Sequence, residues 1–252
     1  MTWPFENDTS SITSKLARKS LKSEKRRNLM VVIAVALASC LICFSIVMAL
    51  STRQIEKNHV EDTYEAVYTR ITEEDVSTLK GLDDFSRVGE YYMLAVEPAK
   101  QGYNASYIYC DEETMYIARD QMKLLEGRLP QKEDEVAVSR YFLSNYGADA
   151  GIGEKVMLNS ESFHGEYTVT GILEGYKEKE VNGSSILLSK EALKGWSGYD
   201  PADYRAYVHF KNEQQMDETE LTARSREIAK EYQLEMPVMN LSYMKFYKQP
   251  VN

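Results

Sequence analysis

The feature that most constrains this chain is an uncharged stretch of 22 residues, Leu29 to Leu50. As an α-helix with a rise of 1.5 Å per residue it would be about 33 Å long, enough to cross a hydrocarbon core of roughly 30 Å. Twelve of its residues are Leu, Ile, Val or Phe, and their transfer into lipid favours insertion by roughly 4 to 7 kcal/mol. The stretch therefore predicts one transmembrane helix.

A cleavable signal peptide is the alternative for this stretch. Val47, Met48 and Ala49 would form an acceptable cleavage site ahead of Ser51. A signal peptide, however, has an apolar core of only about 7 to 15 residues, whereas this one has 22 and follows a leader of 28 residues. We therefore favour a retained membrane helix.

The flanks of the stretch predict its orientation. Seven cations precede it between positions 15 and 27, whereas only Arg53 and Lys57 follow it closely. Positively charged flanks stay in the cytoplasm. We therefore expect residues 1–28 inside the cell and residues 51–252 outside the cytoplasmic membrane.

The basic leader, residues 1–28, predicts an amphipathic helix on the inner surface of the membrane. Its apolar positions are few and its polar face is basic, which suits the headgroup layer, with Trp3 and Phe5 as anchors. A disordered leader is the alternative. The candidate N-caps of the helix are Asp8, Thr9 and Ser10.

The two parts of the chain carry opposite charge. The formal charge of −9 divides into +4 for residues 1–28 and −13 for the remainder. An acidic exterior argues against nucleic acid as a partner, because binding to nucleic acid depends on cations that meet phosphates. Anionic lipid headgroups explain the basic leader better. We therefore expect a lipid membrane, and no nucleic acid, among the partners.

Cysteine and histidine usage excludes two kinds of site. Cys40 and Cys43 lie in the membrane stretch, which leaves Cys110 alone outside, so an intramolecular disulfide cannot hold the external part together. We expect Cys110 to be a buried strand residue rather than a nucleophile. The three histidines lack the spacing of metal ligands, so we expect no metal site. They are His59, His164 and His209.

The start of the external part predicts a β-α-β unit. Residues 64–71 alternate in polarity and are rich in Tyr, Val and Thr, which predicts a strand. Thr72 and Asp75 then form a capping-box pattern ahead of a short helix. Residues 86–96 are the second extended run.

A similar unit closes the external part. Residues 205–210 alternate in polarity, Asp217 and Glu220 open a helix, and residues 236–239 are extended. Two such units at opposite ends predict one lobe built from both ends of the chain, with the middle inserted as a second lobe.

The middle of the chain predicts a compact, strand-rich lobe. Ser139 and Ser189 are positioned to cap short helices, the first of them ending at Gly147. Gly171 lies inside a predicted strand, where a glycine often marks the close approach of another backbone. The predicted strands are residues 106–110, 135–138, 155–158, 166–173 and 185–188.

One longer helix is predicted in the middle, beginning at Glu112. Its apolar residues follow a helical spacing, and Gly127 followed by Pro130 would end it. Those apolar residues are Met115, Ala118, Met122 and Leu125.

Four segments of the external part follow one another in an informative order. They are Gly127 to Pro130, Asp134 to Ser139, Gly151 to Val156 and Tyr167 to Leu173. In order and spacing they resemble the external core domain of the MacB/FtsX-like ABC permeases. The leader adds to the resemblance, since its WPFEN start, SKLARKSLK helix and EKRRN junction are similar to the amino terminus of Gram-positive members.

The resemblance implies an α+β fold in which a transmembrane helix is followed by an extracytoplasmic, two-lobed domain. Within residues 51–252, a porter-like β-α-β lobe would comprise residues 60–110 and 200–240, and the inserted lobe would comprise about 111–199. The chain resembles the amino-terminal part of such a permease. In that family a cytoplasmic ATPase drives movement of the external domains.

The resemblance also implies the partners and the function. The partners would be a cytoplasmic ABC ATPase subunit and a second permease copy or half. The function would be to couple ATP hydrolysis to movement of the external domain, for export or extraction of a substrate. The alternative is a single-pass receptor or adhesion protein whose external domain binds a ligand without transport. A secreted domain, cleaved near Ala49, is a third hypothesis.

No residue pattern predicts catalysis or a cofactor. The Gly151-Ile152-Gly153 segment lacks the remaining glycines of a phosphate-binding loop, and no serine lies in a nucleophile-elbow context. The acidic clusters lack the calcium-loop pattern and are ordinarily solvated faces. They are Glu73-Glu74-Asp75, Asp83-Asp84 and Asp111-Glu112-Glu113. We therefore expect no enzyme and no catalytic, cofactor-binding or metal-binding residue.

The 18 tyrosines of the chain allow two interpretations. They would suit a peptide-binding surface, but tyrosine is also a common strand residue, and we favour the second interpretation.

Overall fold

The computed structural model describes residues 10–100, 102–146, 149–175 and 178–248. The chain divides into two compact units, Met1–Glu56 and Lys57–Asn252. Several predicted features lie outside the described residues. They are the anchors Trp3 and Phe5, the caps Asp8 and Thr9, and the helix end at Gly147.

The first unit is helical. Helix α1 covers Ser10–Ser23, so the helix predicted in the leader is present. Helix α2 covers Lys25–His59 and contains the whole apolar stretch. Its large apolar side chains are exposed, for example Val32 at 64% and Phe44 at 63%, and an apolar surface of this extent is not stable in water. Among the described residues it is the one helix long and apolar enough to cross a membrane.

The second unit is built on a single mixed sheet of ten strands among the described residues. It is strand-rich with short helices, which confirms the predicted α+β class. In chain order the elements are β1 Ala66–Ile71, α3 Glu73–Lys80, β2 Phe85–Lys100, β3 Tyr103–Cys110, α4 Glu112–Ile117, β4 Met122–Gly127, β5 Glu135–Ser139, α5 Arg140–Tyr146, β6 Lys155–Asn159, β7 His164–Gly175, α6 Glu178–Val181, β8 Gly183–Leu188, α7 Lys190–Gly195, β9 Tyr204–Phe210, a 3-10 helix Glu213–Gln215, α8 Glu218–Glu231, β10 Val238–Met239, α9 Leu241–Tyr243 and a π-helix Met244–Lys248.

The two predicted β-α-β units interlock. The strand order at one side of the sheet is β10-β1-β9-β2. Because β9 pairs antiparallel with both β1 and β2, the strands joined by α3 are parallel and enclose β9 between them. In the same way β1 lies between β9 and β10, the strands joined by α8. This is the split β-α-β arrangement, and we call these strands, together with β3, the chain-end half of the sheet.

The rest of the sheet comes from the middle of the chain. Strand β8 pairs parallel with β3 and so continues the sheet. Strand β5 lies between β8 and β7. Both β4 and β6 pair with the long strand β7, each on a different part of it. We call strands β4 to β8 the mid-chain half.

The sheet has apolar side chains on both faces, because neighbouring residues of a strand point to opposite sides. On one face, Tyr68 and Val208 join a core that includes Leu79 of α3 and Ile228 of α8. On the other face, Tyr207 packs with residues of α4. Four tyrosines are among the largest fully buried side chains, in agreement with the strand interpretation of this residue type. They are Tyr68, Tyr92, Tyr107 and Tyr204.

Helix starts were predicted well. Thr72 and Asp75 form a capping box at α3, and Asp217 and Glu220 form another at α8. The hydroxyl of Ser139 accepts a hydrogen bond from the amide of Phe142 at 3.0 Å. The hydroxyl of Ser189 likewise accepts from Ala192 at 3.1 Å. Capping involves residues three apart, so local sequence is sufficient to predict it.

The long helix predicted from Glu112 is wrong. Helix α4 ends at Ile117, and Met122 and Leu125 belong to strand β4 instead. Met122 and Leu124 alternate with exposed residues along β4, which pairs with the end of β7. Pairing with a strand about 50 residues away in sequence outweighs the helical spacing, because strand preference depends on tertiary neighbours.

The close backbone approach predicted at Gly171 is confirmed. A Cβ at this position would lie 2.6 Å from the carbonyl oxygen of Arg128 and 3.1 Å from the Cβ of Ala137. Gly127, which pairs with Gly171, has a φ of +81°. Side chains larger than glycine are therefore excluded where the β4 end crosses β7.

Candidate functional site

The candidate site lies at the start of the second unit, where its first residues lead into strand β1. The helix ends at His59, and a short turn leads to β1. Asp62 in this turn has a φ of +51°, a conformation that Asp tolerates better than most residues. Val60 and Thr63 are buried, so the turn is part of the core rather than a free linker.

The last turn of the helix is held by the domain that it enters. The ring atom Nε2 of His59 lies 2.6 Å from the carbonyl oxygen of Asp120. The hydroxyl of Tyr247 donates to the carbonyl oxygen of Lys57 at 3.3 Å. The guanidinium of Arg119 donates to the carbonyl oxygen of Glu61. These contacts connect the end of the helix to the region after α4 and to the π-helix.

Asn240 connects the start of the domain to its last described segment. Its side-chain amide donates to the carbonyl oxygen of Tyr64 at 3.0 Å, and its backbone amide donates to that of Glu65 at 2.8 Å. Its side-chain oxygen accepts from the amide of Tyr243 at 3.1 Å and so caps α9. One buried side chain thus fixes both segments, and its loss would leave several buried polar groups unpaired.

Glu65 and His209 form a buried pair beside this turn. Glu65 is fully buried, and its Oε1 lies 2.7 Å from Nδ1 of His209. Its Oε2 accepts from the amide of Phe210 at 2.8 Å. Burial alone would lower the pKa of His209, but the Glu65 carboxylate outweighs burial and raises it. The pair therefore binds a proton more tightly in the folded protein.

Glu213 binds two residues of the last described segment, Tyr243 and Lys248. Its Oε2 accepts from the hydroxyl of Tyr243 at 2.6 Å and from the Lys248 ammonium at 2.8 Å. Burial would raise the pKa of Glu213, but these hydrogen bonds outweigh it and lower the pKa. The rings of Tyr243 and Tyr247 stack with centroids 5.1 Å apart. The side chain of Lys248 is only 5% exposed, so this segment is anchored.

These contacts form one set, which we call the junction network. It contains no nucleophile placed by a base, and most of its polar groups bind one another. Its contacts hold Lys57 and His59 to the rest of the second unit. The network comprises Lys57, His59, Glu61, Thr63, Tyr64, Glu65, Arg119, Asp120, His209, Glu213, Asn240, Tyr243, Tyr247 and Lys248.

The acidic clusters singled out in the sequence have structural partners. Glu73 contacts Lys190 and Lys194. Asp84 accepts two hydrogen bonds from Arg224, at 2.7 and 2.9 Å.

The third acidic cluster is built around a helix cap. Asp111 caps α4 by accepting from the amide and the hydroxyl of Thr114, each at 2.8 Å, and it also accepts from Lys80. Among the described residues no group of three His, Cys, Asp or Glu is arranged to hold a metal ion.

Cys110 lies buried at the end of β3, as predicted. Burial raises the pKa of its thiol, which makes the thiolate scarce at neutral pH. Gly151 and Gly153 form a tight turn, in which the amide of Gly151 donates to Glu154 and that of Gly153 donates to Val169. These two amides are therefore hydrogen-bonded within the protein and are not free to bind a phosphate.

Comparison with protein families decides the identity of the domain. A family model described as the MacB-like periplasmic core domain matches residues 29–226. The chain belongs to this family. It therefore carries the external domain of a MacB/FtsX-like permease, a component of ABC-type transporters, as its sequence resemblance implied.

Two solved structures that are similar to this chain are external regions of transporters. The extracellular domain of the noncanonic ABC-type transporter YknZ from Gram-positive bacteria is 14% identical, covers 69% of this chain and 97% of its own, and has a TM-score of 0.48. The periplasmic region of MacB from Actinobacillus actinomycetemcomitans is 12% identical, covers 73% of this chain and 91% of its own, and has a TM-score of 0.49. Among curated proteins no match was found.

The junction network was missed by sequence reasoning. His209 was considered only as a metal ligand, and Glu65 and Asn240 were not singled out. One signal was present: Glu65 directly precedes a strand whose first three residues, Ala66 to Tyr68, are apolar or aromatic. A charged residue beside a buried strand predicts a specific partner, but not which residue that partner is.

Proposed function

We propose that this chain is the amino-terminal portion of an ABC transporter permease whose external domain moves when a cytoplasmic ATPase partner hydrolyses ATP. The movement would serve export or extraction of a substrate. Its partners would be that ATPase subunit, a second permease copy or half, and the lipid membrane. Family membership and the spanning helix support this proposal.

The proposed orientation places residues 1–28 in the cytoplasm and residues 51–252 outside. The seven cations before the apolar stretch support it. Helix α1 carries few apolar residues, Ile12 and Leu16 among them, between basic and polar neighbours, which suits the inner headgroup layer.

The proposed domain division follows the chain order. Residues 29–50 span the membrane, and residues 51–252 form the external domain. Its first lobe comprises 60–110 and 200–240, and its inserted second lobe comprises about 111–199. The split β-α-β order of the chain-end strands supports the first lobe.

The observation that carries the mechanism is the unbroken helix α2, which continues nine residues beyond the apolar stretch to His59. The segment after Leu50 contains no Gly or Pro, so nothing in it favours a hinge. Its last turn is bound by the junction network. A tilt of the helix would therefore pass into the sheet as a rigid movement instead of being absorbed by a linker.

The test compares two insertions after Arg53 in the complete permease, reconstituted with its ATPase. One is flexible, Gly-Gly-Ser-Gly-Gly-Ser-Gly. The matched control is helical, Ala-Glu-Ala-Ala-Lys-Ala-Ala, and its seven residues add about two turns and keep the rotational phase within about 20°. Arg53 is exposed and lies outside the junction network, so both variants leave that network intact.

The measurement is the ATP-dependent distance between spin labels on the two permease copies. The labels are attached through Arg226→Cys on the exposed side of α8, in a background without Cys40 and Cys43. We expect both variants to hydrolyse ATP, the helical insertion to retain the distance change and the flexible one to lose it. A full distance change with the flexible insertion would show that the domain is tethered rather than driven.

A further inference from the structure

Strand β4 leaves one edge of the sheet open. It pairs with β7 through one side, and no other described strand pairs with its second side. At such an edge about every second backbone N–H and C=O points outward without a strand partner. These groups form a template on which a further extended chain can pair.

An apolar groove runs beside this edge. It lies between α4 and β4, has a volume of about 420 Å³ and is open to solvent. Its apolar lining comes from Met115, Tyr116, Leu124 and Leu129. Tyr116 is 46% exposed, and the Arg87 guanidinium lies over its ring at 4.2 Å from the centroid. The rest of its aromatic surface is available to a side chain of a bound segment.

The groove is less acidic than its domain. Residues 57–252 carry 22 Lys and Arg against 35 Asp and Glu, a formal charge of −13. The groove is lined by three cations, Arg119, Lys123 and Arg128, and one carboxylate, Glu112. Arg128 and Arg119 are paired with carboxylates of the domain, whereas Lys123 forms no ion pair among the described residues, so Lys123 is the cation available to an anionic group of a partner.

The positions of two of these cations are fixed. Arg128 donates to both carboxylate oxygens of Glu135, at 2.7 and 2.8 Å, and Arg119 lies 3.6 Å from Asp62. Lys123 stands on the edge strand itself. An edge lysine discourages indiscriminate strand pairing, and so does the irregularity in register between Leu124 and Glu126. A partner therefore needs an acid opposite Lys123.

We propose that this edge binds an extended, acidic segment of a partner protein, which adds a strand beside β4. One apolar side chain of that segment fills the groove next to α4, and a carboxylate meets Lys123. The unpaired backbone edge favours a polypeptide over a lipid, because only a polypeptide satisfies a row of alternating donors and acceptors. The proposal does not depend on coupling to an ATPase.

The test uses the full chain in lipid nanodiscs and a displayed library of random eight-residue peptides. We expect the selected peptides to alternate apolar and acidic residues. A synthetic copy of the best peptide should protect the amides of β4 from hydrogen exchange. N-methylation of alternate peptide amides should abolish binding in one register and spare it in the other, because only one set of amides faces β4.

Charge reversal identifies the contact. Lys123→Glu should weaken binding of the acidic peptide roughly tenfold or more, because it places like charges together. A peptide with Lys in place of its acid should regain affinity for this variant. The matched control is Lys230→Glu, on the exposed end of α8, which should bind like the wild type.

Three results would overturn the proposal. The first is a selection that yields no binding peptide, and the second is a set of peptides that protect a region other than β4. The third is displacement of bound peptide by phosphatidylglycerol vesicles together with indifference to N-methylation, which would assign the groove to an anionic lipid. Recovery of binding by the charge-swapped pair excludes general misfolding of Lys123→Glu as the cause of the loss.

Discussion

The two halves of the sheet share an apolar core but differ in the contacts that they add to it. In the chain-end half, Glu65, His209 and Asn240 are buried or nearly so and bind one another or their neighbouring backbone. In the mid-chain half, all five residues of β5 are buried, and the backbones meet closely at Gly171. The first half adds a network of polar contacts, and the second adds a close approach of two backbones.

This difference corresponds to what each half exposes. In the chain-end half, the polar side chains of the junction network hydrogen-bond to one another or to nearby backbone. Few of them are therefore available to bind another protein. The mid-chain half has an open edge at β4 and a groove beside it. Under the proposed function, the chain-end half would receive the movement of the helix and the mid-chain half would present the proposed binding surface.

The largest loss of stability is expected from Gly171→Val, which places a larger side chain in the closely packed mid-chain half. A Cβ there would lie 2.6 Å from the carbonyl oxygen of Arg128, so β7 and the end of β4 must separate. We expect a loss of about 3 kcal/mol in the free energy of unfolding, measured by urea denaturation of the full chain in detergent.

The matched control for that substitution is Gly151→Val. The Cβ at position 151 meets only the flexible Glu154 side chain, at 3.7 Å, and its stability should stay within about 0.5 kcal/mol of wild type. Equal losses in the two variants would show that the close approach at Gly171 has no special cost.

A smaller effect is expected when acid titrates Glu135 in the same half. Hydrogen bonds from Arg128, together with those from the amides of Gln131 and Lys132, outweigh burial and lower its pKa from 4.5 to about 2. Stability from a lowered pKa is present above the unfolded value and disappears as the pH falls through the folded one. We expect hydrogen-exchange protection of β5 and β7 to fall between about pH 4.5 and 2.

The control for Glu135 is Glu135→Gln, which removes the titration. This variant should melt about 3 to 6 °C lower than wild type at pH 6 but show a flatter dependence on pH below 4.5. An unchanged acid profile in Glu135→Gln would mean that other carboxylates control the acid response of the mid-chain half.

The smallest effect is expected in the chain-end half, with the opposite dependence on pH. The pKa of His209 is raised above 6.5 because Glu65 outweighs burial, and burial raises the pKa of Glu65 as well. Each raised pKa contributes stability that is complete below the unfolded value, pH 4.5 for Glu65 and pH 6.5 for His209, and that is lost as the pH rises through the folded value. We expect β1 and β9 to lose about 1 kcal/mol of protection.

His209→Gln tests this last expectation, because glutamine keeps a donor for Glu65 but does not titrate. Hydrogen exchange of β1 and β9, corrected for intrinsic rates, should then show no loss above pH 6.5. If wild type and variant lose protection equally, the pair does not control this half. If acid reduces protection in β5 and β7 while alkali reduces protection in β1 and β9, a single pH series will show that different charged groups stabilise the two halves.

Features set by neighbouring residues were predictable. The apolar stretch, both capping boxes and the caps Ser139 and Ser189 depend on residues at most a few positions apart. Alternation predicted β1, β7 and β9 to within a few residues. The segment after Ile117 was the exception. Met122 and Leu125 also fit a helical spacing, and only pairing with β7 makes this segment a strand.

Sequence alone therefore determined that this protein has a helix long and apolar enough to cross a membrane, an α+β domain outside the apolar stretch and the segments of its family. Burial of apolar surface and helix capping act over short separations, so they are visible in the order of residues. Only the tertiary structure decided the junction network and the open edge. Glu65 and His209 are 144 residues apart in the chain, and an edge exists only once every other strand has taken its place.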